Sequence, residues 1–323
     1  MKASHVLVGC MLVALCLQSD GVWAKKTKTK FAEFPITTGD VSPISITAGP
    51  DGNLWFTLAF SSAGGSIGRI TTAGVITVFP VLTVNSEAFA ITTGPDGALW
   101  FTESMANKIG RITTAGVVTE FPIPTAAVFG PEGIAAGPDG NLWFTKRSPA
   151  GIGRITPAGV VTEFGGLTAG SGPVDITAGP DGALWFTEIN GDRIGRITTA
   201  GVVSEFVLPA NSNPHGITAG PDGALWFTEA DVFRIGRITT SGAITEFAVP
   251  TGFGNSNITT GPDGNLWYAS NEAAIVRVTP SGVATLFPTK PGQPNGIAVG
   301  PDGRIWFTDL STTNAIGRSR FIP

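Results

Sequence analysis

Residues 217–229 read Ile-Thr-Ala-Gly-Pro-Asp-Gly-Ala-Leu-Trp-Phe-Thr-Glu, and close copies of this stretch recur along the chain. Successive copies lie 39 to 45 residues apart, a period typical of β-propellers and other repeat arrays. Their shared tetrapeptide Gly-Pro-Asp-Gly begins at Gly49, Gly94, Gly137, Gly179, Gly220, Gly261 and Gly300.

Each repeat contains four short apolar or β-branched segments separated by turns. In the second repeat they occupy 91–93, 99–103, 109–113 and 117–121, and we call them strands a, b, c and d because this composition favours β-structure. Gly-Pro-Asp-Gly favours a tight turn between a and b. Glycine and proline recur too often for helices, so the pattern predicts an all-β fold.

Seven repeats of four strands predict a seven-bladed β-propeller over residues 31–323. The seventh repeat has no room for strand d before the chain ends at Pro323, whereas residues 31–36, Phe-Ala-Glu-Phe-Pro-Ile, match strand d of the second repeat. We therefore predict that the N-terminal segment pairs as the fourth strand of the last blade and closes the ring. This pairing removes an exposed sheet edge.

One tryptophan and one arginine recur in every repeat. A sugar-binding aromatic platform is one interpretation of the tryptophans, but an apolar anchor in every blade favours packing between blades. The arginines are expected to pair with a tryptophan or a turn aspartate. The tryptophans are Trp55, Trp100, Trp143, Trp185, Trp226, Trp267 and Trp306, and the arginines are Arg69, Arg111, Arg154, Arg196, Arg237, Arg277 and Arg318.

Composition and the first 30 residues suggest where the protein works. The net charge of −4 leaves no basic field for a nucleic acid. Residues 1–24 predict a signal peptide, with Lys2, an apolar stretch and a cleavage site at Ala24. An uncleaved anchor and lipidation at Cys10 are the alternatives. Residues 25–30 predict a basic flexible tail, and we expect an exported monomer, periplasmic or extracellular, with no transmembrane segment after cleavage.

Variation between repeats falls on the b–c and d–a connections, which share one rim, here called the varied rim. A constant scaffold with one variable face is typical of a binding surface, so we place a small-molecule or peptide site there, at the channel mouth. The residue two positions before the strand-a isoleucine differs in each repeat. In chain order these residues are Ile44, Phe89, Glu132, Val174, His215, Ser256 and Asn295.

From this series and the adjacent Asp175 we select candidate site residues. His215, the one histidine after residue 24, is a candidate general base, although a lone histidine is also commonly structural. The candidate substrate-binding residues are Phe89, Glu132, Asp175, Ser256 and Asn295.

Acidic residues also end strand b in several repeats, namely Glu103, Glu188, Glu229 and Asp309. They either face a common ligand or pair with strand-c lysines and arginines across the hairpin, and we favour the pairing. A third hypothesis is a Mg²⁺ or Ca²⁺ ion held by two or three rim carboxylates, Asn295 and water. The sequence leaves the metal ligands open.

The motif in residues 217–229, together with Arg-Ile-Gly-Arg-Ile-Thr-Thr-Ala-Gly-Val-Val-Ser-Glu-Phe at 193–206, resembles the virginiamycin B lyase (streptogramin lyase) family over residues 31–323. The resemblance implies a seven-bladed propeller and a Mg²⁺-assisted elimination that opens the ester of type B streptogramins without water.

The resemblance also implies a Pro-His pair at the start of strand a in two adjacent blades, the last two, with a glutamate two residues before the second histidine. Pro214-His215 in repeat five matches the first pair. Gly254 and Ser256, then Gln293 and Asn295, stand where the second glutamate and histidine would lie.

Three functions therefore remain open on the sequence. The first is a carbon–oxygen lyase with His215 as base and a rim carboxylate as acid or Mg²⁺ ligand. The second is a non-catalytic propeller of the cell envelope that binds a peptide, glycan or protein. The third is a lactonase-like metal hydrolase that uses Glu132, Asp175 and Asn295 as oxygen ligands.

Overall fold

The computed structural model describes residues 31–37, 42–59, 65–250, 257–289, 292–310 and 314–320. These residues form 28 β-strands in seven four-stranded antiparallel sheets, with one 3₁₀ turn at Ile189–Gly191. The prediction of seven four-stranded blades is confirmed. In the described residues no helix is both long and apolar enough to cross a membrane. The predicted signal peptide and basic tail lie outside the described residues.

The blades follow one another in chain order. Blade 1 contains Ser42–Ala48 (β2), Leu54–Ala59 (β3), Ser66–Ile70 (β4) and Ile76–Pro80 (β5). Blade 2 contains Ala88–Thr93 (β6), Leu99–Glu103 (β7), Lys108–Ile112 (β8) and Val118–Pro122 (β9). Blade 3 contains Phe129–Ala136 (β10), Leu142–Ser148 (β11), Gly151–Ile155 (β12) and Val161–Phe164 (β13). Blade 4 contains Pro173–Ala178 (β14), Leu184–Glu188 (β15), Arg193–Ile197 (β16) and Val203–Val207 (β17).

The remaining three blades keep the same order. Blade 5 contains Pro214–Ala219 (β18), Leu225–Glu229 (β19), Arg234–Ile238 (β20) and Ile244–Ala248 (β21). Blade 6 contains Ile258–Thr260 (β22), Leu266–Ser270 (β23), Ala274–Val278 (β24) and Ala284–Pro288 (β25). Blade 7 contains Pro294–Val299 (β26), Ile305–Asp309 (β27), Ala315–Ser319 (β28) and, from the N-terminal side, Phe31–Pro35 (β1).

The ring is closed without a covalent bond. Strand β1 pairs antiparallel with β28, and the register places Phe31 opposite Ser319 and Pro35 opposite Ala315. On the inner side, the Thr308 hydroxyl of blade 7 donates to the carbonyl of Ile44 in blade 1 at 3.0 Å. The predicted closure by the N-terminal segment is therefore confirmed.

The repeated tryptophan connects each turn to the core. In blade 5, Trp226 Nε1 donates to Asp222 Oδ1 at 3.0 Å, and the indole stacks on Phe247 at 5.5 Å between ring centroids. Arg237 Nε donates to the other Asp222 oxygen at 2.6 Å. Trp226 also packs in one cluster with Ile258 of blade 6. Since all seven repeat tryptophans are fully buried, packing between blades is confirmed and no exposed platform forms.

Candidate functional site

The innermost strand of most blades starts with a β-bulge at the varied rim. In blade 5, Pro214 pairs with Glu229 and Ile217 with Phe227, so His215 and Gly216 stand opposite one residue of β19. Six of the seven described blades show this register shift. A bulge bends a strand and re-aims side chains, and bulges are common beside active sites.

A buried threonine of strand b fixes each bulge to the neighbouring blade. Thr187 Oγ1 accepts a hydrogen bond from the Asp175 amide of its own blade at 3.2 Å. The same hydroxyl donates a hydrogen bond to the His215 carbonyl of the next blade at 2.6 Å. The same double contact recurs at Thr57, Thr102, Thr145 and Thr308. Sequence analysis missed this role, although the threonine recurs in every repeat except the sixth, where Ala269 replaces it.

These bulges surround a cavity of about 750 Å³ at the mouth of the channel. The predicted site residues Phe89, Glu132, Asp175, His215 and Asn295 all line it. Ser256 falls outside the described residues. The structure thus brings the five described candidates together, while their roles remain predictions.

His215 lies half-buried in the cavity wall. Burial, reinforced by the positive charge of Arg147, lowers its pKa to about 4, and Asp231 opposes this shift. Within the part of the chain that the structure describes, no protein group hydrogen bonds to the imidazole. His215 is therefore neutral at pH 7 and presents a proton-accepting nitrogen.

Arg147 is a cavity residue that the sequence analysis did not select. Strands β10 and β11 of blade 3 form an extended hairpin that continues to a Phe129–Ser148 pair. Arg147 lies on this extension and lines the cavity. Its NH1 lies 3.1 Å from Glu132 Oε1, and the guanidinium lies over Phe129 at 5.7 Å. Burial raises the pKa of Glu132, while Arg147 opposes the shift. The sequence feature that could have indicated Arg147 is the pair Lys146-Arg147, because no other repeat has two cations at the end of strand b.

The other cavity carboxylates have their own protein donors. Asp175 accepts the amides of Ile176 and Ile217, each at 2.9 Å, so it joins blade 4 to blade 5. Burial raises the pKa of Asp175 to about 6, and the two amides oppose the shift. Glu87 accepts the Ser104 hydroxyl at 2.9 Å.

These contacts bear on the expected divalent cation. Hard cations prefer several converging oxygen ligands, yet Glu132 is committed to Arg147 and Asp175 to two amides. The described residues contain no group of three histidine, cysteine, aspartate or glutamate side chains placed to hold a metal. With Glu132 paired to a cation and both Asp175 oxygens accepting amides, this donor set does not fit a resident Mg²⁺ or Ca²⁺.

The expected pairing of the strand-b acids across the hairpin is wrong for two of them. Lys108 contacts Glu120 of strand d at 2.9 Å instead of Glu103. Arg234 likewise contacts Glu246 at 2.8 Å instead of Glu229. The acids at the end of strand b are too deeply buried for a long side chain to reach while its charge keeps contact with water.

Glu188 also does not pair with the strand-c cation opposite it, and strand c offers Asp309 no cation at the opposite position. Arg193, opposite Glu188 in the register, donates to the Gly191 carbonyl at 3.0 Å. Asp309 stands opposite Ala315 and accepts the Gln293 amide at 2.9 Å. Neither they nor Glu103 and Glu229 line the cavity.

Three blades consequently bury a carboxyl group beside a second one from strand d. Burial, followed by the Glu120 charge, raises the pKa of Glu103 to about 8. Burial likewise raises the pKa of Glu188 and of Glu229 to about 7, with Glu205 and Glu246 adding to the shifts. Blade 3 differs because Lys146 takes the strand-b position and pairs with Glu163.

The structure is a seven-bladed β-propeller whose varied inner residues line one cavity at the mouth of the channel. The family model described as the virginiamycin B lyase family matches residues 16–212 and 130–321. The chain therefore belongs to the virginiamycin B lyase family, as the repeat motif indicated.

Solved structures agree with this assignment. A streptogramin B lyase structure has 38% identity and a TM-score of 0.83, covering 90% of this chain and 97% of that one. A catalytically inactive histidine-to-alanine variant of virginiamycin B lyase from Staphylococcus aureus with quinupristin has 39% identity and a TM-score of 0.84, covering 91% and 100%. Hydrazine synthase of Kuenenia stuttgartiensis, with 16% identity and a TM-score of 0.71, shares the fold alone. No curated protein sequence matched the chain.

The carboxyl pairs predict a stability that falls as pH rises. Because the pKa of Glu103 is raised from 4.5 to about 8, the native state holds this proton more tightly, and stability is lost between those pH values. Glu103→Gln should raise the free energy of unfolding by about 1–3 kcal/mol at pH 8 and leave it nearly unchanged at pH 5. Urea unfolding at both pH values measures the effect.

Blade 3 supplies the matched control for this experiment. Glu163→Gln removes the partner of buried Lys146 and should destabilise the protein at pH 8, the opposite sign. Equal changes in the free energy of unfolding for the two variants at pH 8 would contradict the raised pKa of Glu103.

The threonine bridge predicts a local effect on His215. Thr187→Val leaves the Asp175 amide and the His215 carbonyl without their partner, so the free energy of unfolding should fall by about 1–3 kcal/mol and the His215 imidazole NMR signals should shift. Thr57→Val, which releases the Phe89 carbonyl instead, should cost as much but leave those signals in place. Identical spectra for the two variants would refute the positioning role.

Proposed function

We propose that the protein is an exported carbon–oxygen lyase that opens a cyclic ester or depsipeptide by elimination, with His215 as the general base. The observation that carries this proposal is an uncharged histidine in the wall of a 750 Å³ cavity, with no protein hydrogen bond to its ring in the described residues. Membership of the virginiamycin B lyase family supports the reaction class. The relative solved with quinupristin is inactive when one histidine becomes alanine.

The reaction needs a base and no covalent nucleophile. His215 takes a proton from the carbon adjacent to the one that carries the ester oxygen. The electron pair of that C–H bond forms a carbon–carbon double bond, the carbon–oxygen bond breaks, and its electrons leave on the carboxylate. The product has the mass of the substrate because no water is added, and the proton on His215 returns to solvent.

A non-catalytic binding propeller of the cell envelope is the second candidate. It is favoured by one observation, that Gln293 and Asn295 stand in the last blade where the family pattern has glutamate and histidine. Such a protein would hold a peptide, glycan or protein at the same rim. A lactonase-like hydrolase receives less support, because Glu132 Oε1 lies against Arg147 and each Asp175 oxygen accepts a backbone amide.

Incubation with a type B streptogramin tests the lyase. We expect ring opening without a change in mass, visible as a chromatographic shift and a new fragmentation pattern in mass spectrometry. His215→Ala should lose at least about 100-fold in turnover, the usual contribution of a general base. Val84→Ala, on the rim but outside the cavity lining, should retain full activity.

The pH dependence and the metal dependence of turnover test the mechanism further. Because the pKa of His215 is lowered to about 4, turnover should persist at pH 5.5 and fall only as pH approaches 4. Parallel reactions with Mg²⁺ and with EDTA test the metal requirement that the family resemblance implies. An antibiotic returned unchanged under every condition would favour the binding propeller, whereas full activity in folded His215→Ala would exclude His215 as the base.

Export follows from residues 1–24 as a second part of the proposal. Expression of the full chain in a bacterial host should yield a periplasmic or secreted product that begins at Lys25, because Val22-Trp23-Ala24 is the predicted cleavage site. N-terminal mass analysis of each cell fraction measures this. A full-length protein that stays with the cytoplasm or the membrane would contradict it.

A further inference from the structure

An elimination needs a group that stabilises charge on the departing oxygen as well as a base. Histidine pairs or a metal are common solutions, but the described cavity has one histidine and no metal-binding cluster. It does have a cation. Arg147 is the one lysine or arginine among the described residues that line the cavity.

We propose that Arg147 binds the carboxylate released by the elimination, so that the cavity selects an ester whose acid half carries an apolar or aromatic group. The origin of this carboxylate rests on the lyase proposed above. The binding itself is a property of Arg147 and is testable without turnover.

The first argument is the balance of hydrogen-bond donors and acceptors in the cavity. A guanidinium has five N–H donors, and the protein uses one of them in the described residues, from NH1 to Glu132 at 3.1 Å. The carboxylates of Glu87 and Asp175 already accept donors from the protein. Arg147 therefore has four spare donors together with the one positive charge among the described lining residues, and the natural complement of this planar cation is a carboxylate.

The second argument is that Arg147 is held in place before any ligand arrives. Its guanidinium lies over the Phe129 ring, and Glu132, which is only 8% exposed, pairs with one of its nitrogens. Both partners belong to the extended hairpin of blade 3. The arginine side chain remains 37% exposed. Such preorganisation lowers the entropy cost of binding.

The third argument is the apolar surface that shares the cavity. Met105 is 70% and Phe129 57% exposed, and both line the cavity together with Phe89. An apolar or aromatic group attached to the carboxylate covers these side chains and removes them from water. A small hydrophilic acid gains nothing from this surface.

Arg147 also couples the leaving group to the base. Its charge contributes to the lowered pKa of His215, after burial, while Asp231 acts in the opposite direction. Asp175 contacts β18, the strand that carries His215, by accepting a hydrogen bond from the Ile217 amide. Negative charge that develops on an oxygen beside Arg147 offsets the guanidinium charge, so His215 becomes more basic as it receives the proton.

Proton NMR of the full chain with phenylacetate as the probe tests the inference. The chain contains two histidines, His5 and His215, and a His215→Gln spectrum assigns the imidazole signals. We expect phenylacetate to shift the His215 signals and to raise the His215 pKa. Phenylacetamide and the methyl ester, which lack the negative charge, should bind at least about tenfold more weakly.

Arg147→Gln should weaken phenylacetate binding about tenfold or more and remove the pKa response. Arg147→Lys keeps the charge without the planar fork and should fall between the two. Arg234→Gln is the matched control, since Arg234 also pairs with a glutamate and is 42% exposed but lies outside the cavity lining. It should bind phenylacetate like the wild type.

The outcomes separate this inference from the lyase proposal. Unchanged phenylacetate affinity in Arg147→Gln, or equal affinity of wild type for the acid and its amide, overturns the role of Arg147 whatever the turnover. Full streptogramin turnover in Arg147→Gln overturns it as well. Carboxylate binding that depends on Arg147 supports the subsite even if no ester is opened, and in that case only the lyase fails.

Discussion

The pairing of β1 with β28 closes a ring in which every blade packs against two others. The cavity depends on this closure, because its walls are the innermost strands of different blades and no single blade encloses a volume. Seven buried tryptophans fill the spaces between blades. Two polar contacts also cross the seam between the last blade and the first, Thr308 to the Ile44 carbonyl and Arg318 to the Thr72 carbonyl. A packing defect at the seam would therefore displace residues across the whole channel mouth.

Most of the fold could be predicted from the sequence because each repeat carries the same local signals. A Gly-Pro-Asp-Gly turn, a buried tryptophan and a strand-d phenylalanine recur in all seven repeats. The cavity series from Ile44 to Asn295 was also predictable, since strand a is the innermost strand and its first residues face the channel. The bulge explains why these residues share one cavity although a regular strand would alternate them between two faces.

The remaining site features depend on contacts between blades or on strand length, which local patterns do not report. Arg147 reaches the cavity only because β10 and β11 extend farther than the other inner hairpins. The buried carboxyl pairs arise because Lys108 and Arg234 turn toward strand d, where their charges keep contact with water. The sequence pattern places each strand-c cation between an acid on strand b and an acid on strand d, and it does not show which of the two the cation contacts.

The threonine bridges hold the cavity residues by their carbonyl groups and never by their side chains. The scaffold is therefore indifferent to which side chain stands at each inner position, and Ile44, Phe89, Glu132, Val174 and His215 occupy equivalent places without altering the fold. Ala269 replaces the threonine that would hold Asn295, and the Asn295 carbonyl accepts the Asn257 amide at 3.4 Å instead. Single substitutions at these inner positions, each made in a different blade, could therefore assemble a new chemistry while the scaffold stays the same.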